Sequence, residues 1–255
     1  MVDLHSHLIW NVDDGSKSRE MTLNMLRQAI QGGTTKLVLT PHYVPGEFMV
    51  PFNEIKERVK EVKTLAKEEN LNIEIYSGQE VFYTNNILEN YQEGYIGTIN
   101  NSKYMLIEFS MKNFSQREII ENMYELQLKG IVPIIAHPER YLKFIKSPSL
   151  INELIREGFL FQLNLGSLTG EFGKDVKKTA KIFFQHKIYS FIGSDAHRDE
   201  KRNPNMGERL KVIDKENNYY LRYIIESSES LLNNEEVKFI GEKIEKKRGL
   251  FSLFS

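Results

Sequence analysis

The sequence predicts an α/β barrel of about seven strand–helix units, distorted from the eight-unit type, with a metal cluster on the rim where the strands end. Three observations predict it. Short apolar runs bounded by Gly, Pro, Thr or Ser alternate with helix-length amphipathic segments. The alternation persists over most of the 255 residues. Five of the six histidines fall at or just past the end of an apolar run.

The strand candidates are 2–5, 36–40, 73–77, 104–109, 132–136, 160–165 and 188–193. Each is short and mostly apolar, as expected for parallel strands buried on both faces. Between them, 18–31 sets Met21, Met25, Leu26, Ala29 and Ile30 on one helical face, with Gly32-Gly33 as a stop. Segment 53–69 repeats the spacing with Ile55, Val59, Val62 and Leu65, and 116–129, 149–157 and 176–185 follow it. Two more helices are expected near the C-terminus. Regular alternation indicates a parallel sheet covered by helices. Seven units favour a closed or nearly closed barrel over an open doubly wound sheet, which is the runner-up. The expected organisation is one barrel domain over 1–245 and a tail over 246–255.

Composition removes several function classes. With 34 Lys+Arg against 35 Asp+Glu there is no global basic field, which argues against nucleic-acid binding. The absence of cysteine excludes disulfides, thiolate metal sites and any cysteinyl-phosphate mechanism. No signal peptide or membrane-length apolar run is visible, so a cytoplasmic protein is expected.

In parallel barrels the chemistry sits at the carboxyl ends of the strands. Here the strand ends run into His5-Ser6-His7, Thr40-Pro41-His42, Gly78-Gln79-Glu80, Glu108, His137-Pro138-Glu139-Arg140 and Ser194-Asp195-Ala196-His197, and Asp13-Asp14-Gly15 follows in the first loop. Side chains at i and i+2 of an extended segment point the same way, so His5 and His7 face one ion, as do Asp195 and His197. A mixed N/O donor set without sulfur suits Mn, Fe or Zn. Asp14, Glu80, Glu108 and Asp195 would repel one another if they converged without cations. Three divalent ions would reverse that excess and create a site for a phosphate dianion. Arg140 and Arg202 are candidates to grip phosphate oxygens. Asp13 reads as a turn former and Asp14 as the ligand, although the sequence barely separates them. Arg19, Arg198 and Lys201 read as solvated, and His186, at a helix carboxyl end, reads as structural.

These motifs together resemble the PHP (polymerase and histidinol phosphatase) superfamily. More closely they resemble its bacterial manganese-dependent protein-tyrosine phosphatases of the capsule and exopolysaccharide (CpsB/CapC) type. Asp3-Leu4-His5-Ser6-His7, Val12-Asp13-Asp14-Gly15 and Ile134-Ile135-Ala136-His137-Pro138-Glu139-Arg140 carry the likeness. The resemblance implies the distorted (β/α)7 PHP barrel and about three Mn²⁺ ions. It places His5, His7 and Asp195 on one metal, with Glu80 bridging to a second completed by Glu108 and His137, and Asp14, His42 and His197 on a third. It gives Arg140 and Arg202 to the phosphate, and Asp14 or His197 to protonation of the leaving group. The implied substrate is the phosphotyrosine tail of a bacterial tyrosine kinase. The alternatives are a small-molecule phosphatase of the same superfamily, acting for example on histidinol phosphate, and a non-catalytic interaction module with a structural metal. Loop 43–51, with Phe48, Met49 and Phe52, is a candidate wall for a phenyl ring. The basic-then-apolar segment 246–255 is a candidate for weak contact with a membrane or a partner. The oligomeric state is left open by the sequence.

Overall fold

Where the sequence predicts seven strands, nine form among the described residues, 1–245, of the computed structural model. The expectations for 246–255 lie outside the described residues. In chain order the elements are β1 (Val2–Asp3), α1 (Arg19–Gln31), β2 (Lys36–Leu39), β3 (His42–Tyr43), α2 (Phe52–Glu68), β4 (Glu74–Ser77), β5 (Glu80–Phe82), α3 (Ile87–Gln92), β6 (Tyr104–Glu108), α4 (Gln116–Leu128), β7 (Val132–Ala136), α5 (Leu142–Lys146), α6 (Ile151–Arg156), β8 (Leu160–Asn164), α7 (Leu165–Thr169), α8 (Lys174–Gln185), β9 (Phe191–Gly193) and α9 (Gly207–Leu232).

All ladders are parallel, in a three-stranded sheet β1-β2-β4 and a six-stranded sheet β3-β5-β6-β7-β8-β9. The two sheets are one surface creased across two strands. Leu39 pairs with Ser77 and, past the crease, His42 pairs with Glu80, so the register is unchanged. The crease falls at Thr40-Pro41 on one strand and Gly78-Gln79 on its neighbour. Pro41 has no N–H to give to a ladder. A Cβ on Gly78 would lie 3.0 Å from Thr40 Cγ2 and 3.1 Å from Val38 Cγ1, so the neighbouring strand presses on it there. Counted through the crease, β2 with β3 and β4 with β5 are single strands, and the total returns to seven. The ring is sewn shut between β9 and β1: Leu4 N donates to Ile192 O at 3.2 Å, Asp195 N to His5 O at 2.8 Å, and Ser6 and Ala196 form a parallel bridge. The architecture is a distorted α/β barrel.

Strand alternation sorts the side chains. Val2, Leu4, Val38, Tyr104, Leu106, Ile134, Ala136, Leu160 and Phe191 share one buried cluster inside the ring. The other strand faces, including Leu37, Leu39 and Ile75 on one side and Met105, Ile107 and Ile135 on the other, pack under the helices. Along each inward face the apolar series ends in polar residues: Val38 is succeeded two and four positions on by Thr40 and His42, Leu106 by Glu108, and Leu160 by Gln162 and Asn164. The core thus fills the lower barrel and hands over to chemistry at its mouth.

The helices adopt the predicted faces. Ser18 caps α1 by accepting from Met21 N, and Met25, Leu26 and Ala29 are buried. The two C-terminal helices run together as α9, which is interrupted at Asn217, an extended residue whose Oδ1 caps Tyr220 N at 3.0 Å. No described helix is long and apolar enough to cross a membrane.

Candidate metal centre

The mouth of the barrel gathers every ligand candidate named above. His5 and His7 come after β1, His42 opens β3, Glu80 opens β5, Glu108 ends β6, His137 comes after β7, and Asp195 and His197 come after β9. All except half-exposed Asp14 have side chains at most 14% exposed. Three sets have donor atoms close enough to share an ion: His7, Asp14, His42 and His197; His5, His7 and Glu80; and His42, Glu80 and Glu108. His137 joins the last set from the side, its Nε2 2.9 Å from Glu80 Oε1 and 3.6 Å from Glu108 Oε1. His186 stands apart, half-buried at the end of α8, its carbonyl accepting from Glu242 N at 2.8 Å.

The imidazoles are aimed by neighbours. Gln162 Oε1 is 2.9 Å from His5 Nδ1, and Asp13 Oδ2 is 2.6 Å from His7 Nδ1. Both oxygens can only accept, so each Nδ1 carries the proton and each Nε2 of a neutral ring presents a lone pair. Those two Nε2 atoms are 3.0 Å apart. Glu80 Oε2, buried and without a hydrogen-bond partner, lies 3.1 Å from His5 Nε2, 3.3 Å from His7 Nε2 and 3.0 Å from His42 Nδ1. Facing lone pairs at such distances are stable only around protons or cations, so the donor set fits divalent metal.

Asp13 is more than the turn former expected. Its Oδ1 does accept from Gly15 N at 2.8 Å, but the side chain is buried, and Oδ2 serves His7 and also the His42 N–H at 2.9 Å. Gly15 closes this loop on the site: a Cβ there would fall 2.5 Å from His7 Cβ. Arg198, expected to be solvated, donates instead to Gly15 O and His197 O, both at 2.7 Å, and ties the first loop to the last. Arg19 is exposed and paired with Glu68.

Asp195 divides its two oxygens. Oδ1 faces His197 Nδ1 at 3.4 Å, His7 Nε2 at 3.6 Å and His5 Nε2 at 3.7 Å. Oδ2 accepts from Arg140 at 2.8 Å, Arg202 at 2.7 Å and Asn164 Nδ2 at 2.7 Å. The arginines are therefore at the rim of the cluster, bound to it through one carboxylate. His137, Asp195 and Arg202 have φ of 32°, 50° and 55°. Left-handed backbone at non-glycine residues is uncommon and gathers at functional sites.

Electrostatics agree with a centre built for cations. Burial opposes charge on His5 and His42, but Glu80 foremost overrides it and raises them to about 9 and about 10. Burial, with Arg140 beside it, drives His137 down to about 4. Burial and then the Glu80 charge push Glu108 up to about 8. Against burial, His5 and the two arginines hold Asp195 far below the usual carboxylate range, and His197 does the same for Asp14. Neighbouring ligands are thus driven in opposite directions, and no single proton arrangement suits them all.

Of the loop offered as a phenyl wall, Phe48 stacks on His42 with centroids 6.1 Å apart and Met49 is exposed, whereas Phe52 is buried at the start of α2. Sequence reasoning missed Asn164, Gln162 and the second role of Asp13. Only Asp13 carried a signal, its place beside Asp14.

A family model described as capsular polysaccharide synthesis, CpsB/CapC, matches residues 1–234. The tyrosine-protein phosphatase CpsB of Streptococcus pneumoniae is 36% identical over 220 residues, spanning 84% of this chain and 90% of that protein. The tyrosine-protein phosphatase YwqE of Bacillus subtilis is 31% identical over 255 residues, covering 100% of both. A solved chain from the crystal structures of YwqE and CpsB, described as unique metal-dependent tyrosine phosphatases, superposes with a TM-score of 0.90 at 29% identity, covering 96% of this chain and 100% of that one.

Proposed function

This chain belongs to the CpsB/CapC family of capsular polysaccharide synthesis, and on that premise we propose that it is a metal-dependent protein-tyrosine phosphatase. Its substrate is phosphotyrosine on a bacterial tyrosine kinase of capsule or exopolysaccharide production, and its resident metal is manganese, in three ions. The observation that carries metal dependence is Glu80 Oε2, a buried carboxylate oxygen with no hydrogen-bond partner, ringed by three imidazole nitrogens. The relatives named as tyrosine-protein phosphatases support the substrate class.

His5, His7, Asp195 and Glu80 hold the first ion. Glu80, Glu108 and His137 hold the second, and Asp14, His42 and His197 the third. When bound, such ions supply electrophilic assistance and an activated water nucleophile. The chain supplies the rest. Gln162 and Asp13 fix two imidazoles in one tautomer. Arg140 and Arg202 bind phosphate oxygens and offset the charge that builds on them. Asp14 and His197, at the solvent edge, serve the leaving phenolate. Asp14 is ionised at neutral pH, so it relays a proton from water and does not store one.

The test is phosphate release from a tyrosine-phosphorylated kinase-tail peptide and from histidinol phosphate, after metal stripping and again with Mn²⁺. Metal-restored activity confined to the peptide is expected. Preference for histidinol phosphate would overturn the substrate assignment, and silence on both with metal bound would overturn the enzymatic one.

A further inference from the structure

Between α7 and α8 the chain makes a short strap, Gly170-Glu171-Phe172-Gly173, whose two glycines have φ of 98° and 96°. The strap contributes no ligand candidate, yet its aromatic ring lies at the phosphate end of the site. The Phe172 centroid is 4.7 Å from Arg140 Cζ and 5.7 Å from Arg202 Cζ, so one ring meets both guanidinium groups. Its edge is backed by α7: a Cβ added to Gly166 would fall 3.0 Å from Phe172 Cε2.

A second fixture holds the strap. Arg209, in the first turn of α9, bonds both Glu171 oxygens at 2.6 and 3.2 Å. The same guanidinium donates to Asn203 O at 3.1 Å and Asn205 O at 2.9 Å, in the loop that carries Arg202. One cation therefore ties the strap that presents Phe172 to the loop that presents Arg202. The arginines come from different parts of the barrel, Arg140 after β7 and Arg202 after β9, and the ring is what they share.

We infer that Phe172 is the positioning residue for the phosphate grip, a π-faced floor that holds Arg140 and Arg202 as a pair, with the Glu171–Arg209 ion pair fixing the floor in place. The inference rests on the reading of the mouth as a phosphate-ester site. Without the floor each guanidinium keeps its bond to Asp195 but gains freedom in the rest of its side chain, so ordering two flexible arms falls to the phosphate itself. A flat ring suits this task because a guanidinium stacks on an aromatic face while its edge N–H groups stay available.

The experiment is titration calorimetry of inorganic phosphate into the Mn²⁺-loaded full-length protein, with metal content measured alongside. Phe172→Ala should weaken phosphate binding by roughly tenfold with metal content unchanged. Phe172→Leu, which keeps apolar bulk and loses the π face, should behave like the alanine variant, and Phe172→Trp should restore binding. Glu171→Gln, which loosens the strap without touching the ring, should weaken it by roughly two- to threefold. In turnover of a phosphotyrosine peptide the loss should fall more on KM than on kcat. Wild-type phosphate binding by a metal-replete Phe172→Ala or Phe172→Leu protein overturns the inference. Loss of metal in both variants overturns it as well, by making Phe172 part of the fold of the metal centre. Failure of the functional reading is seen separately, as wild-type protein that binds phosphate and hydrolyses no phosphotyrosine.

Discussion

Creased strands and straight strands deliver the site in different ways. The paired strands β2–β3 and β4–β5 break together at Thr40-Pro41 and Gly78-Gln79, and just past the break they place His42 and Glu80 side by side in one register. The straight strands β6, β7 and β8 run unbroken and deliver Glu108, His137 and Asn164 only at or beyond their ends. The creased half supplies the residues that touch most others: Glu80 lies within 3.3 Å of nitrogens from His5, His7, His42 and His137. The straight half supplies groups that finish one set or brace another. A crease moves a side chain toward the axis, so a central bridging carboxylate comes from a creased strand and a peripheral ligand from a strand end.

The sharpest way to break this comparison is to remove a carboxylate from each half. Glu80→Ala should leave more than one ion unheld and cut kcat/KM on the order of a thousandfold or more, because metal-borne charge stabilisation is worth several kcal/mol. Glu108→Gln should lose less than Glu80→Ala in both metal content and rate. Equal losses by elemental analysis and kinetics would mean that the crease confers no centrality.

The aiming residues come next. Asp13→Asn leaves the loop its turn former but weakens the hold on His7 Nδ1, and manganese affinity should fall roughly 10- to 100-fold. Unchanged affinity by calorimetry would reduce Asp13 to the turn role its sequence suggests.

Protons sharpen the contrast further. His5 and His42 have folded pKa values raised to about 9 and about 10, so the metal-free protein holds protons on both at pH 7. Their contribution to metal-free stability is fully present below the unfolded value near 6.5 and is lost as pH rises through 9 and 10. Metal must displace those protons, so binding at pH 7 should release them and apparent affinity should rise with pH until both have left. His137, on the straight half and lowered to about 4, should release none. Calorimetry in buffers of different ionisation heat counts them, and zero release at pH 7 would contradict the assignment.

The smallest expected effect is on the crease itself. Gly78→Ala brings a methyl group against Thr40 and Val38 and should cost about 1–3 kcal/mol in urea unfolding. No cost would show that the neighbouring strand gives way.

The barrel was legible because its straight strands are clean apolar runs; 132–136 is the element found, to the residue. The creases were not. Pro41 and Gly78 read as strand stops, so the extended residues beyond them, with His42 and Glu80 at their heads, read as loop. Clustering of histidines at strand ends was visible, since it depends only on position along the chain. The aiming of those histidines was not, because Gln162 serves a residue 157 positions away and a lone polar residue in a strand carries no mark of its partner. Asp13 hid behind its own turn chemistry. The break in α9 showed through correctly as two helices, since Asn217 interrupts the apolar spacing and caps the second of them.

The seam where β9 meets β1 has a consequence for how the protein is made. Asp3 and Ser194, hydrogen-bonded at 2.9 Å, stand 191 positions apart, and ligand candidates flank the seam on both sides. On a ribosome adding about 5–20 residues per second, His5 and His7 emerge roughly 10–40 seconds before Asp195. During that interval the early histidines have neither the carboxylate that faces them nor the strand that shelters them. Metal captured by the nascent chain is therefore held by a partial set and exchanges freely, and the ion that stays is chosen by the finished barrel.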